Sequence, residues 1–201
     1  MKIILARHGD AVNSDGKFHG IDDKPLTSEG RSEVYATAKE LRQYHPTMIY
    51  YCPTQRTRET ATILANELNI PRKKSDALLP LDLGTFVGKD SEKFLSAIKH
   101  YLTNPEEKIP GGQSVNDWAK QYLPFFEKAF LNKSRDAIIF VTHGRNILLT
   151  KAYLSQDKLA PNFDKDVLLD SKTSTEHGGY ALVDNKGFRI MDPKKVIAGQ
   201  S

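Results

Sequence analysis

The stretch "IILARHG", Ile3 to Gly9, joins a short apolar run to two basic side chains and a glycine. A continuous apolar run of this length is typical of a buried strand. The arrangement returns far along the chain, where "AIIFVTHG", Ala137 to Gly144, ends in His143 and another glycine. Ligands of open α/β sheets bind beyond the carboxyl ends of the strands. We therefore expect His8 and His143 to converge on one crevice.

The rest of the chain predicts strands that alternate with helices, which is typical of an α/β protein with a largely parallel sheet. Hydrophobic periodicity and capping residues predict helices over about 28–42, 56–68, 91–102, 114–131 and 147–154. Further strands are predicted at 47–52 and in a closing hairpin, 179–184 and 188–191, with a three-residue turn. Pro124 predicts a kink or a break in its helix. We expect one domain, 1–201, with an irregular excursion at about 74–112 that passes over the site.

Composition limits the function classes. The chain has 201 residues, 39% of them hydrophobic and 27% charged, which is typical of a globular protein. Its net charge of +4 suits anionic ligands, but no run of Lys and Arg with interleaved aromatic residues favours nucleic acid. The densest basic cluster, "RKK" at Arg72–Lys74, is interpreted as a solvated loop.

A single cysteine, Cys52, excludes a disulfide within the chain and indicates a reducing compartment. The apolar run Ile3–Ala6 is too short for a signal peptide or a membrane span. The expected location is the cytoplasm, without membrane contact, and the oligomeric state is left open.

Basic residues cluster at the predicted strand ends. Arg7 offers a fork of donors beside His8, and Arg56 lies at the start of a helix, where main-chain N–H groups favour an anion. Arg58 is interpreted as a surface charge. The glycine after each histidine allows a ligand to approach the main chain closely. This environment suits a tetrahedral dianion, and phosphate is the obvious candidate.

Four sequence blocks in a fixed order resemble the histidine phosphatase superfamily with its phosphoglycerate mutase-like fold. The blocks are "RHGDAVN…FHGIDDKPLTSEG" at Arg7–Gly30, "YYCPTQRTRETA" at Tyr50–Ala61, "IPGGQS" at Ile109–Ser114 and "VTHGRNI" at Val141–Ile147. Cys52 stands where serine is common in the family, and Gln113 where glutamate is common. The resemblance spans nearly the whole chain and implies a three-layer α/β/α fold, with helices on both faces of a mostly parallel sheet.

The resemblance also implies roles for individual residues. His8 would attack phosphorus and carry the phosphoryl group as a phosphohistidine. The phosphoryl oxygens would be bound by Arg7, Asn13, Arg56, His143 and the main chain around Gly20 and Gly144. Because arginines supply the positive charge, no metal or other cofactor is expected, and no cluster with metal-ligand spacing stands out in the sequence.

One element departs from the family pattern. The family's general acid is a glutamate four residues before a glycine, and in "LPLDLG", Leu79–Gly84, Pro80 occupies that position. Asp82 could serve as the acid if burial among leucines raises its pKa. The alternative is a loop aspartate that accepts hydrogen bonds from local N–H groups. Asp10 is a weaker candidate.

These features favour a phosphomonoesterase in which water takes the phosphoryl group from His8. A mutase would need further basic residues over the site, and the excursion supplies lysines but no arginine pair. A phosphate-binding module with little catalysis is the other alternative. The expected partner is a small phosphorylated substrate, and sugar phosphates, nucleotides and phosphohistidine on a protein all stay open.

Overall fold

The computed structural model describes residues 1–12, 16–132, 136–155, 168 and 175–191. The strands are β1 (Lys2–Arg7), β2 (Pro46–Tyr51), β3 (Arg72–Lys74), β4 (Ala137–Thr142), β5 (Tyr180–Asp184) and β6 (Gly187–Met191). The helices are α1 (Ser28–Leu41), α2 (Gln55–Leu68), α3 (Leu95–Thr103), α4 (Val115–Phe130) and α5 (Gly144–Leu154). Within the described ranges, no helix combines the length and the apolar character needed to cross a membrane.

The strands form one sheet in the order β3-β2-β4-β1-β5-β6. The first four of these are parallel to one another. β5 pairs antiparallel with β1, and β6 pairs antiparallel with β5. In the register of this sheet, Arg7 of β1 lies opposite Thr142 of β4, and Tyr51 of β2 lies opposite Val141. The chain therefore leaves β1, β2 and β4 at one edge of the sheet, as the sequence predicted for an α/β fold.

Alternate residues of β1 supply two separate cores, one on each face of the sheet. Ile3 and Leu5 face a core that contains Trp118 of α4 and Leu149 of α5, together with apolar residues of the excursion. Ile4 and Ala6 face a second core beneath α1 and α2. The sheet is thus covered on both faces, and the three-layer arrangement is confirmed.

Three local predictions were wrong. The predicted break at Pro124 does not occur: α4 continues through it, because one face of the helix buries Trp118, Tyr122 and Phe126 and this packing outweighs the loss of one hydrogen bond. A kink at Pro124 stays a prediction. The Arg72–Lys74 segment is not a loop but an exposed edge strand paired with β2, where lysines discourage pairing with another chain. The final hairpin pairs Asp184 with Gly187, which leaves a two-residue turn.

Candidate active site

His8 and His143 meet at the carboxyl edge of the sheet. His8 directly follows β1 and His143 directly follows β4, and their ring centroids lie 5.1 Å apart. Both are almost fully buried, with 8% and 6% of their surface exposed. Together with Arg7 and Arg56 they line a cavity of about 410 Å³. The structure therefore brings these four residues together in one crevice, as the sequence predicted.

The surroundings of His8 determine which ring nitrogen carries the proton and whether the ring is charged. Nδ1 lies 2.8 Å from the carbonyl oxygen of Gly9. A carbonyl only accepts, so Nδ1 carries the proton and the lone pair resides on Nε2. Burial, followed by the electrostatic interaction with His143 and the charges of Arg56 and Arg7, holds the pKa of His8 well below its usual range. At neutral pH the side chain is therefore an uncharged imidazole with an available ring nitrogen.

The loop that carries His8 is pressed against the start of α1. A Cβ atom on Gly9 would lie 2.3 Å from the carbonyl oxygen of Gly30, and one on Gly30 would lie 2.1 Å from that of Asp10. Thr27 caps α1 by accepting a hydrogen bond from the Gly30 amide, and its own amide donates to Asp10. Glycine is required at both positions, because two stretches of backbone touch there.

Arg56 ties α2 to the loop at Gly20–Asp22. It is 3% exposed and lies in the first turn of α2. Its Nη1 donates to the Asp22 carbonyl oxygen at 2.7 Å and to the Asp22 carboxylate at 3.0 Å, while Nη2 donates to the Gly20 carbonyl. Burial lowers the pKa of Arg56 and Asp22 opposes that shift. The guanidinium is thus held charged and immobile at the cavity wall.

His143 lies between Arg56 and the end of β2. Its Nδ1 is 3.3 Å from Nη2 of Arg56, and an arginine can only donate, so Nδ1 accepts and Nε2 carries the proton. Nε2 faces the Cys52 sulfur at 3.2 Å and the Thr54 hydroxyl at 3.5 Å. Burial and the charges of Arg56 and Arg7 hold the pKa of His143 well below its usual range. Burial raises the pKa of Cys52, which stays a thiol.

Arg7 is held by a third histidine that sequence reasoning missed. Its Nη1 donates to the Thr175 carbonyl at 2.6 Å, and Nη2 lies 2.8 Å from Nε2 of His177. Nδ1 of His177 is 3.6 Å from the Asp10 carboxylate. Burial lowers the pKa of Arg7 to about 10, against the opposing effect of nearby carboxylates, so Arg7 remains charged at neutral pH.

His177 also lies beside the predicted nucleophile, since its ring centroid is 5.3 Å from that of His8. A sequence signal for it existed in the pair His177-Gly178, which precedes β5. Because β5 runs antiparallel to β1, the start of β5 lies beside the end of β1. The sequence did not reveal that pairing, and His177 could not be placed without it.

The outer part of the cavity combines apolar and basic side chains. Gly20 and Gly144 both line it, as the sequence predicted for main chain beside a ligand. The other lining residues of the described chain are Ala11, Lys17, Phe18, His19, Pro80, Leu81, Leu83, Leu95, Lys99, Leu102, Arg145, Leu148, Leu168 and His177. Asn13, a predicted phosphate ligand, lies outside the described residues.

The structure does not support Asp82 as the general acid. Its carboxylate accepts a hydrogen bond from the Gly84 amide at 2.9 Å, and its side chain is not among those that line the cavity, whereas Leu81 and Leu83 are. Gly84 has φ +47 and makes the tight turn that this contact stabilises. The assignment of Asp82 is corrected accordingly: this carboxylate stabilises the local loop.

The described residues show what chemistry the cavity can support. No carboxylate occurs among the lining side chains that the structure describes. Over the same part of the chain, no group of three or more His, Cys, Asp or Glu residues is placed to hold a metal ion. The cavity brings an uncharged imidazole together with two guanidinium groups, an arrangement that can bind a dianion and attack its central atom.

Comparisons with known proteins find similar sequences. The sequence model of the histidine phosphatase superfamily (branch 1) matches residues 3–179. Phosphoserine phosphatase 1 of Hydrogenobacter thermophilus is 26% identical over 149 residues, covering 71% of this chain and 71% of that protein. A 2,3-bisphosphoglycerate-dependent phosphoglycerate mutase of Gloeobacter violaceus is 26% identical over 200 residues, covering 78% of this chain and 86% of that protein.

Solved structures share the fold. The native structure of a mycobacterial glucosyl-3-phosphoglycerate phosphatase superimposes with a TM-score of 0.76 at 18% identity, covering 95% of this chain and 97% of that one. An Escherichia coli protein described as a putative alpha-ribazole-5'-P phosphatase gives a TM-score of 0.75 at 16% identity, covering 96% and 95%. At such identities the likeness establishes the fold alone.

Proposed function

Because the chain belongs to the histidine phosphatase superfamily, we propose that it is a phosphomonoesterase that uses His8 as its nucleophile and needs no metal ion. The observation that carries this proposal is the charge state of His8. Its Nδ1 proton is held by Gly9, its pKa is lowered, and its Nε2 lone pair is free for attack beside two guanidinium groups.

The reaction takes place in two steps. Nε2 of His8 attacks phosphorus, an N–P bond forms, and the ester P–O bond breaks while a water molecule protonates the departing oxygen, which leaves as the alcohol; the hydroxide so formed is neutralised by the proton that the second, attacking water releases. Water then attacks the phosphohistidine, the N–P bond breaks, and inorganic phosphate leaves. Arg7 and Arg56 bind the equatorial oxygens and stabilise the negative charge that spreads over them in each transition state. His143 adds its Nε2 proton to these contacts once that N–H turns from the Cys52 sulfur toward the phosphoryl group.

The nucleophile is tested by replacing His8. We expect His8→Ala to lower the turnover of p-nitrophenyl phosphate by at least about a thousandfold, the scale seen when a covalent nucleophile is removed. Rapid quenching in denaturant followed by intact-mass spectrometry should detect one added phosphoryl group on the wild type and none on the variant. His100→Ala is the matched control, because His100 is an exposed histidine on α3. Wild-type turnover by His8→Ala would refute the mechanism.

Metal independence has its own test. Vanadate and inorganic phosphate should inhibit competitively, since Arg7 and Arg56 supply fixed positive charge at the cavity wall. Exhaustive chelation should leave the rate unchanged. A rate that falls on chelation and returns with a divalent cation would contradict the proposal.

The relatives include both phosphatases and mutases, and the acceptor of the phosphoryl group separates the two activities. A phosphatase passes it to water, so released phosphate should equal consumed ester. A mutase returns it to a second hydroxyl of the same compound. Phosphoserine and 3-phosphoglycerate derivatives, which the relatives' names indicate, are the first compounds to assay, with free phosphate and isomerised ester both measured.

A further inference from the structure

The cavity carries more positive charge than one phosphate group requires. Arg7 and Arg56, the two arginines beside His8, already have carboxylates nearby, since Asp22 pairs with Arg56 and Asp10 acts on Arg7. Arg145, Lys17 and Lys99 line the same cavity, and no carboxylate occurs among the described lining residues to neutralise them. The additional cations point to a ligand with negative charge beyond its phosphoryl group.

Arg145 differs from the two deeper arginines in its hydrogen bonding. The guanidinium groups of Arg7 and Arg56 both donate to carbonyl oxygens of the chain. Arg145 makes no side-chain hydrogen bond or ion pair within the part of the chain that the structure describes. It is partly buried, and burial alone lowers its pKa. A partly desolvated cation without a protein partner gains from an anionic ligand, which offsets the cost of its partial burial.

The position of Arg145 relates it to the reacting group. It is the second residue of α5, two positions after His143, and both line the cavity. An anion bound by Arg145 would therefore belong to the same small molecule whose phosphoryl group meets His143. A cavity of about 410 Å³ admits a ligand of small-metabolite size.

We propose that Arg145 binds a second anionic group of the substrate, so that the enzyme prefers small phosphomonoesters that also carry a carboxylate or a second phosphate. Lys17 and Lys99 are exposed and add attraction at the rim. This inference rests on the proposed phosphomonoesterase activity and specifies its substrate class. The apolar side chains of Phe18, Leu81 and Leu148 in the cavity wall suit a compact carbon skeleton between the two anionic groups.

The test uses two pairs of substrates that differ only in the second anion. Phosphoserine and phosphoethanolamine differ by a carboxylate, and the bisphosphate and monophosphate of a short diol differ by a phosphate. In the wild type we expect kcat/KM to be about 10- to 100-fold higher for the more anionic member of at least one pair, the scale of a charge-assisted hydrogen bond. The pair that shows the preference identifies the second group.

Arg145→Gln should reduce that preference to nearly one, while Arg145→Lys, which keeps the charge, should retain part of it. The readout is the ratio of the kcat/KM values for two substrates of one protein, so a general loss of folded enzyme does not alter it. Arg58→Gln is the control, since Arg58 is an exposed arginine of α2 that does not line the cavity.

Two results would overturn the proposal. The first is a wild type that hydrolyses both members of each pair equally, and the second is an Arg145→Gln variant that keeps the preference. Neither result affects the phosphomonoesterase activity, which p-nitrophenyl phosphate reports separately. If the wild type fails on p-nitrophenyl phosphate as well, the proposed function fails together with this inference.

Discussion

Burial is the largest cause of the low pKa of His8, and the charges of Arg56 and Arg7, the proposed phosphate ligands, add to it. In the proposed mechanism, Arg7 and Arg56 attract a phosphoryl group, and the same two charges oppose protonation of the His8 imidazole. A protonated imidazole has no lone pair for attack, so the positive surroundings of His8 serve both binding and nucleophilicity. The arginines remain charged because an arginine has a far higher pKa than a histidine and each has carboxylates nearby.

A residue-scale prediction concerns Asp82. Because its carboxylate accepts from the Gly84 amide and does not line the cavity, Asp82→Asn should not change the ratio of kcat/KM between p-nitrophenyl phosphate and an alkyl phosphate. The asparagine oxygen can still accept the same hydrogen bond. A general acid would give a different result, a loss of about a hundredfold or more on the alkyl phosphate alone. Steady-state kinetics on both substrates distinguish these outcomes.

The sequence correctly placed the two histidines that follow parallel strands. It misassigned Asp82, which depends on the turn of a loop, and it missed His177, which depends on an antiparallel strand pair. His8 and His143 could be placed because each comes directly after an apolar run. The direction of the Asp82 side chain depends on the turn at Gly84, and the position of His177 depends on β5 pairing with β1. Neither fact is contained in local hydrophobic periodicity.

At the scale of elements, the contact between α1 and the loop after β1 positions His8, the proposed nucleophile. The Gly30 amide and the Asp10 carbonyl both bond to Thr27, and the two backbones touch at Gly9 and Gly30. A side chain at either glycine would therefore push the start of α1 away from the loop that carries His8. The effect of a methyl group here should be larger than its volume suggests, because backbone cannot move aside as a flexible side chain can.

Gly30→Ala tests this contact. The added Cβ would lie 2.1 Å from the Asp10 carbonyl oxygen, so we expect the variant to lose about 1–3 kcal/mol of stability, the usual cost of overpacking. Turnover of p-nitrophenyl phosphate should fall as well, because the displaced loop carries His8. Ser32→Ala, at an exposed site on the same helix, should stay within about 0.5 kcal/mol of the wild type. Urea unfolding gives the stabilities, and unchanged activity in Gly30→Ala would count against the positioning role.

The sequence predicted whether a segment is a helix or a strand better than it predicted where the segment begins and what it pairs with. The expected helices at 28–42 and 56–68 match α1 and α2 to within one residue at each end, because the Thr27 cap of α1 and the apolar spacing of both helices are local signals. The expected helix at 91–102 instead begins at Leu95. Arg72–Lys74 becomes a strand only because β2 offers an open edge, and that tertiary condition has no local sequence signature.

At the scale of the whole molecule, the site introduces a dependence of stability on pH. Folding withdraws His8 and His143 from water and places them beside Arg7 and Arg56, which lowers the pKa of both histidines. In the unfolded chain a histidine binds a proton with a pKa of about 6.5. Below that pH the unfolded state therefore binds more protons than the folded state.

We expect stability to be at its full value above about pH 6.5 and to fall as the pH is lowered toward the depressed pKa values of the folded state. In that window, each histidine can lower the free energy of unfolding by up to about 1.4 kcal/mol per pH unit. Urea unfolding between about pH 7.5 and 5.5, in buffer without phosphate, measures the slope. The double variant His8→Gln, His143→Gln lacks both titrating rings but keeps all carboxylates and the other histidines. Its free energy of unfolding should therefore fall less steeply with decreasing pH than that of the wild type. Parallel curves for the two proteins would mean that these histidines titrate alike in the folded and unfolded states, and the argument for an uncharged nucleophile at neutral pH would lose its physical basis.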